Sequence, residues 1–202
     1  MTERFFTPDD VWHGGHYELQ MDLKPPSSGQ LSSALQALWS HPALDGCYLS
    51  DSVEPSEQKR VQPSERGTED RLYGIARLPN GTRVACGTYA FVSQEEGERE
   101  QYHSLVLFTP MGALSPAYPV GAYPFGRMDA VFQWKRELDE WLHGIGNFVY
   151  ERAPFVLGLV GFEIDTRISA KSLEAHGIPD ERFAGILWPR GKKLEWYPPT
   201  SP

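Results

Sequence analysis

Tyr17, Leu19, Met21 and Leu23 alternate with His16, Glu18, Gln20 and Asp22, the period-two pattern of a strand buried on one face. The period then lengthens. In PPSSGQLSSALQALWSHP, Leu31, Ala34, Leu35, Leu38 and Trp39 fall on one helical stripe; Ser27 or Ser28 can cap its start and Pro42 ends it. LDGCYLS reads as a short strand. Residues 51–69 carry Pro55, Pro63 and Gly67 among polar residues and predict a long surface loop or a partly mobile insertion. RLYGIARL and RVACGTYAFV flank Asn80-Gly81, a hairpin signal, and YHSLVLF beyond the EEGERE loop extends the pair to a three-strand antiparallel meander.

Residues 110–126, PMGALSPAYPVGAYPFG, are rich in Pro, Gly and aromatics and predict an irregular loop that covers an edge or forms a binding surface. From Asp129 the stripe Val131, Trp134, Leu138, Trp141, Leu142, Ile145, Phe148 and Val149 marks the main helix, ending before Pro154; Gly144 and Gly146 weaken it but allow close approach to a sheet. FVLGLVGFEI is apolar on both alternations, as a central strand covered on both faces requires. SAKSLEAHG is a short helix with Gly177 past its end, and FAGILWP and KKLEWY supply two late strands. This order predicts a single α+β domain over 1–202: a mixed, largely antiparallel sheet with the meander, packed by two main helices and one short one.

A chain of 202 residues, 40% hydrophobic, can bury a core as one domain. The N-terminus MTERFFTPDD has no apolar signal region, and no run approaches the roughly 18 apolar residues of a membrane span, so a cytoplasmic chain starting at Met1 is expected. The net charge of -8 disfavours nucleic acid or anionic membrane as a direct partner. The acid is clustered. Asp45 to Asp70 holds seven acidic and three basic residues, Asp51 and Glu54 among them, and QEEGERE at 94–100 holds Glu95, Glu96, Glu98 and Glu100 with one arginine.

The candidate chemistry is sparse. There is no GxSxG, HExxH, Walker loop or GxGxxG. His13 and His16 stand three apart around Gly14-Gly15; a strand there sends them to opposite faces, so a turn histidine and a solvent-face histidine are expected and no metal or cofactor is assigned. Cys47 and Cys86 lie in strand-like surroundings without a CxxC and read as buried free thiols, though either with His103 or His176 leaves a small Cys/His hydrolase or transferase as the alternative. Glu137, Asp139, Glu140 and His143 read as the solvated side of the main helix. Tyr118, Tyr123 and Phe125 in the Pro/Gly loop are candidate anchors for a protein partner, beside the acids Asp51, Glu54, Glu95, Glu96, Glu98 and Glu100. Two acidic loops and one aromatic loop without a catalytic signature point to a binding protein.

WHGGHYELQMDL, LWSHPALDGCYLS, AYPFG and FVLGLVGFEID, with a helix bearing two tryptophans before the last, together resemble bacterial polymorphic-toxin immunity proteins of the immunity protein 52 type. The resemblance is one of layout across most of the chain. It implies a small cytoplasmic α+β domain that binds and neutralises one cognate toxin, of nuclease class, delivered between bacteria. No binding residue is carried over from the family, and the oligomeric state stays open.

Overall fold

The structure, a computed structural model, describes residues 3–23, 28–63, 70–94, 101–120, 129–164, 168–191 and 193–201. Its frame is one sheet of eight strands: β1 (His16–Leu23), β2 (Leu44–Tyr48), β3 (Leu72–Arg77), β4 (Arg83–Gln94), β5 (Gln101–Pro110), β6 (Leu157–Phe162), β7 (Gly185–Arg190) and β8 (Lys193–Tyr197). The helices are α1 (Ser28–Trp39), α2 (Met111–Leu114), α3 (Asp129–Tyr150) and α4 (Ala170–His176). The spatial order is β2-β3-β4-β5-β1-β6-β7-β8, with every pairing antiparallel. The fold is α+β as expected, but the sheet is not mixed, and β2 lengthens the meander to four strands.

The first strand of the chain lies inside the sheet, between β5 and β6, with Leu19 opposite both Leu107 and Val160. One face carries the helices. Tyr17, Leu19, Met21 and Leu23 are buried there, and α1 buries Leu31, Ala34, Leu35, Leu38 and Trp39. Trp39 packs so close that a Cβ on Gly74 would come within 2.4 Å of its ring, and its indole donates to Thr88 Oγ1 at 3.2 Å. Close approach recurs on α3, where a Cβ on Gly146 would stand 2.6 Å from Leu187. The Asn80-Gly81 turn joins β3 to β4 as expected, with Gly81 at φ 85.

The opposite face is covered at its two ends by different segments. At the meander end, residues 3–13 lay Phe6 and Trp12 onto Tyr48, Tyr73 and Phe108 with edge-on ring contacts. At the other end α4, started by a Ser169–Ser172 capping box, sets Leu173 on Leu157, Leu159, Ile186 and Trp188, a small second core. The described part of the 51–69 segment is anchored: Val61 N–H donates to Cys47 O at 2.9 Å, and Gln58 bonds the backbone of Ser50. No helix among the described residues is long and apolar enough to cross a membrane.

Candidate functional site

Between its two covers the sheet presents the polar half of the β1 alternation. Register decides which side chains meet there. Phe108 on β5 lies opposite Glu18 on one side and Gly87 on the other, and the missing side chain at Gly87 gives its ring room. His16 lies tilted against Phe108, ring centres 4.5 Å apart, and Tyr89 approaches from β4 at 5.7 Å. Arg71, just before β3, holds its guanidinium over the Tyr89 ring at 5.4 Å, and Phe91 stacks beside Tyr89. A band of Arg71, Tyr89, Phe91, His16 and Glu18 thus crosses the central strands.

Glu18 is its chemical centre. It was expected to face solvent, yet only 5% of it is exposed. One carboxylate oxygen accepts the Ile164 N–H at 2.8 Å, and the other receives a long contact of 3.5 Å from the Tyr89 hydroxyl. Burial pushes the carboxyl up to about 7; these two hydrogen bonds oppose the rise and the nearby Glu163 carboxylate adds to it. Glu163 is the positive-φ residue other than glycine among those described, at φ 39, and its N–H donates to His16 O at 2.9 Å. Such strain beside a perturbed carboxyl is commonest at functional positions. His16 is half-buried; burial lowers its pKa, Arg71 lowers it further and Glu163 opposes. It is therefore not the freely solvated histidine expected, whereas His13 lies in the exposed turn before Gly14 and Gly15, both at positive φ.

The acids expected to meet a partner divide. Glu54 turns inward: its carboxylate accepts the N–H groups of Phe5, Phe6 and Thr7 and the Thr7 hydroxyl, at 2.7–3.1 Å for the shortest contact to each donor. It fastens the N-terminal cover and is 8% exposed, a structural role that sequence reasoning did not foresee. Asp51 is half-buried beside it. Its carbonyl takes the Trp12 indole N–H at 3.0 Å and its carboxylate faces Tyr73, so it borders the band. Tyr118 is 7% exposed, packed on Trp134 after α2, with Glu137 near its hydroxyl; it belongs to the core and is not an exposed anchor. Glu95, Glu96, Glu98, Glu100, Tyr123 and Phe125 lie outside the described residues.

The sites considered for other chemistry are used internally. Cys47 and Cys86 are both buried and form no disulfide, and burial pushes the Cys86 thiol well up, the reverse of what a nucleophile needs. His103 lies buried on β5 and His176 is exposed on α4. Among the described residues no group of three His, Cys, Asp or Glu could hold a metal. Asp139 is not on the solvated side of α3: it accepts the Tyr17 hydroxyl at 2.5 Å, and burial raises it to about 7 against the pull of Tyr17 and Lys135. That contact ties α3 to β1. No protein-family model, no curated protein and no solved structure matches the chain.

Proposed function

We propose that the chain is an immunity protein that binds and neutralises a cognate antibacterial toxin of nuclease class, one to one, without chemistry of its own. The observation that carries this reading is the band of Arg71, Tyr89, Phe91, His16 and Glu18 on the stretch of the sheet between the two covers. Arg and Tyr are the residue types that dominate binding energy at protein interfaces; here Tyr89 is held on β4 and Arg71, at the entry to β3, lies over its ring, so little ordering of the aromatic side chain opposes association. The net charge of -8 supports a basic partner, since a nuclease presents positive charge to a phosphate backbone. The layout resemblance points the same way.

The test is co-expression with the toxin encoded beside it. Restored growth and a one-to-one complex on purification are expected; neither rescue nor complex removes the reading. Binding kinetics then separate the roles. Tyr89→Ala speeds dissociation about tenfold or more with little change in association, as for a buried aromatic anchor. Replacing Glu95, Glu96 and Glu98 together by glutamine slows association and flattens its salt dependence, as for charges that steer encounter.

A second reading rests on Glu18, whose carboxyl sits near the pH where a general base works. It requires substrate to reach a side chain that is 5% exposed. Glu18→Gln distinguishes the two: toxin neutralisation survives it, whereas a proton-transfer activity does not.

A further inference from the structure

The two edges of the sheet are finished differently. At one end β2 is bonded by the segment that follows it: Val61 N–H donates to Cys47 O at 2.9 Å, and Arg60 pairs with Asp45 at 2.5 Å. At the other end stands β8, with no strand beyond it among the described residues. Register fixes which of its backbone groups face out. Two residues separate Arg190 from Lys193, the first of them Gly191 at φ 64, so these partners form the hydrogen-bonded pair that closes a hairpin of this length. Leu194 then falls opposite Pro189, which has no N–H to give, and that pair makes no ladder bond. The N–H and C=O of Leu194, and by alternation those of Trp196, therefore point away from β7 into the outer edge.

That edge is held rigid. The Trp196 indole donates to Glu140 Oε1 of α3 at 2.9 Å, and its ring stacks on His143 with centres 5.0 Å apart. Its charges are unevenly placed. Lys193 stands directly opposite Arg190, like against like, while Glu195 lies on the same face, 3.9 Å from Arg190 Nε. A second copy of the strand, antiparallel and paired about Leu194, sets each Lys193 opposite the partner's Glu195, and the Leu194 N–H of each chain reaches the Leu194 O of the other. The neighbouring registers do worse. Pairing about Glu195 sets that acid against itself, and pairing about Trp196 brings Pro198, which lacks an N–H, opposite Leu194.

We infer that two copies of this chain associate edge to edge through β8, antiparallel about a two-fold axis at Leu194, and continue one sheet across both. The axis runs perpendicular to the sheet, so the α3 helices of the two copies lie on the same side of it. Because Trp196 is already fixed to α3, little of the strand has to be ordered on pairing. Pro198 and Pro199 stop the pairing just past β8, which keeps the contact short and the dimer weak. The edge is separated from the band by β6 and β7, so the dimer stands or fails independently of toxin binding.

Sedimentation equilibrium of the full-length chain from about 10 μM to about 1 mM measures the association. A monomer–dimer equilibrium is expected across that range, with hydrogen exchange at the Leu194 amide slowing as the dimer fills. Leu194→Pro removes the outward N–H without touching the β7 ladder and should weaken the dimer about tenfold or more. Lys193→Glu sets acid against acid across the axis and should do the same, with no dependence on whether the proline variant folds. Lys193→Glu combined with Glu195→Lys restores the opposite charges and should return the dissociation constant to within about threefold of wild type. A chain that stays monomeric at the highest concentration, a Leu194 amide whose exchange ignores concentration, or a double charge exchange that restores nothing overturns the inference.

Discussion

Replacing Glu54 by alanine should loosen the N-terminal cover and cost the protein about 3 kcal/mol. The carboxylate accepts four donors, and a hydrogen bond to a charged group contributes about 1.5–3 kcal/mol. Simple addition overstates the loss, because Thr7 is exposed and Phe5 half-exposed, and water replaces what they lose. Phe6 is 1% exposed, so its N–H is left buried without an acceptor. One full charged bond plus a fraction of the other three gives the figure quoted. For a chain of this length that corresponds to a fall in Tm of roughly 6–12 °C. The pH dependence has a definite sign. Burial raises the Glu54 carboxyl, but the hydrogen bonds from Phe5, Thr7 and Phe6 outweigh it and hold the pKa below its ordinary value. A depressed carboxylate stabilises the fold above its unfolded pKa and loses that contribution as pH falls through the folded one. The gap between wild type and Glu54→Ala should therefore be full at pH 7 and shrink below about pH 4.5. Urea denaturation at pH 7 and pH 4 measures both. A variant within about 1 °C of wild type at pH 7, or a gap that does not narrow in acid, refutes the assignment of Glu54 as the fastener of this segment.

Glu18 and Asp139 carry the opposite sign: their folded pKa values are raised to about 7, so stability falls as pH rises from the unfolded values through 7. Glu18→Gln, which keeps an acceptor for Ile164 N–H, should be about 1–2 kcal/mol more stable than wild type at pH 8 and equal to it near pH 5, read by denaturant midpoints. Gly112→Ala should destabilise by about 2 kcal/mol or more, because its Cβ would meet Asp10 O at 1.8 Å and push residues 3–13 off the sheet; increased proteolysis near the N-terminus is the readout. Cys47 and Cys86 should resist a thiol reagent in the native state and both react in denaturant.

The elements were legible where one physical cause fixes a pattern. The β1 alternation appears because one face meets helices, and β6 is apolar on both alternations because it lies between β1 and β7 with α3 on one face and α4 on the other. The strand order was not legible. Nothing local tells β1 to insert between β5 and β6, since that depends on which long-range pairing buries most surface. The band across the central strands was not legible for the same reason. Glu18 occupies the polar half of an alternating strand, which reads as solvent, and its burial depends on Ile164, which lies 146 positions along the chain. Arg71 and Tyr89 meet only because Leu72 pairs with Thr88. Glu54 gave no signal either: an acid in a polar loop looks the same whether it faces water or gathers three backbone N–H groups. Tyr118 shows the converse error, because a Pro/Gly-rich sequence marks irregular backbone and says nothing about whether that backbone lies on the core.

Two acids fasten the two covers, and the band lies between them. Glu54 holds residues 5–7 at the meander end, and Glu18 holds Ile164 at the entry to the α4 segment. Trp12 and Asp51 extend the first cover to the edge of the band, while the strained Glu163 backbone forms the edge of the second. A partner seated on Tyr89 and Arg71 therefore touches both margins, and its affinity depends on how firmly each is held. Losing Glu54 should then weaken binding only by shifting part of the population to a state with the first cover detached, an effect no larger than the measured loss of stability and one that saturating partner reverses. A contact residue behaves otherwise: Tyr89→Ala, being half-exposed, should leave Tm within about 2 °C of wild type and still lose affinity. Affinity and Tm measured on both variants separate fastener from contact, and Glu54→Ala losing affinity at unchanged Tm would restore Glu54 to the interface.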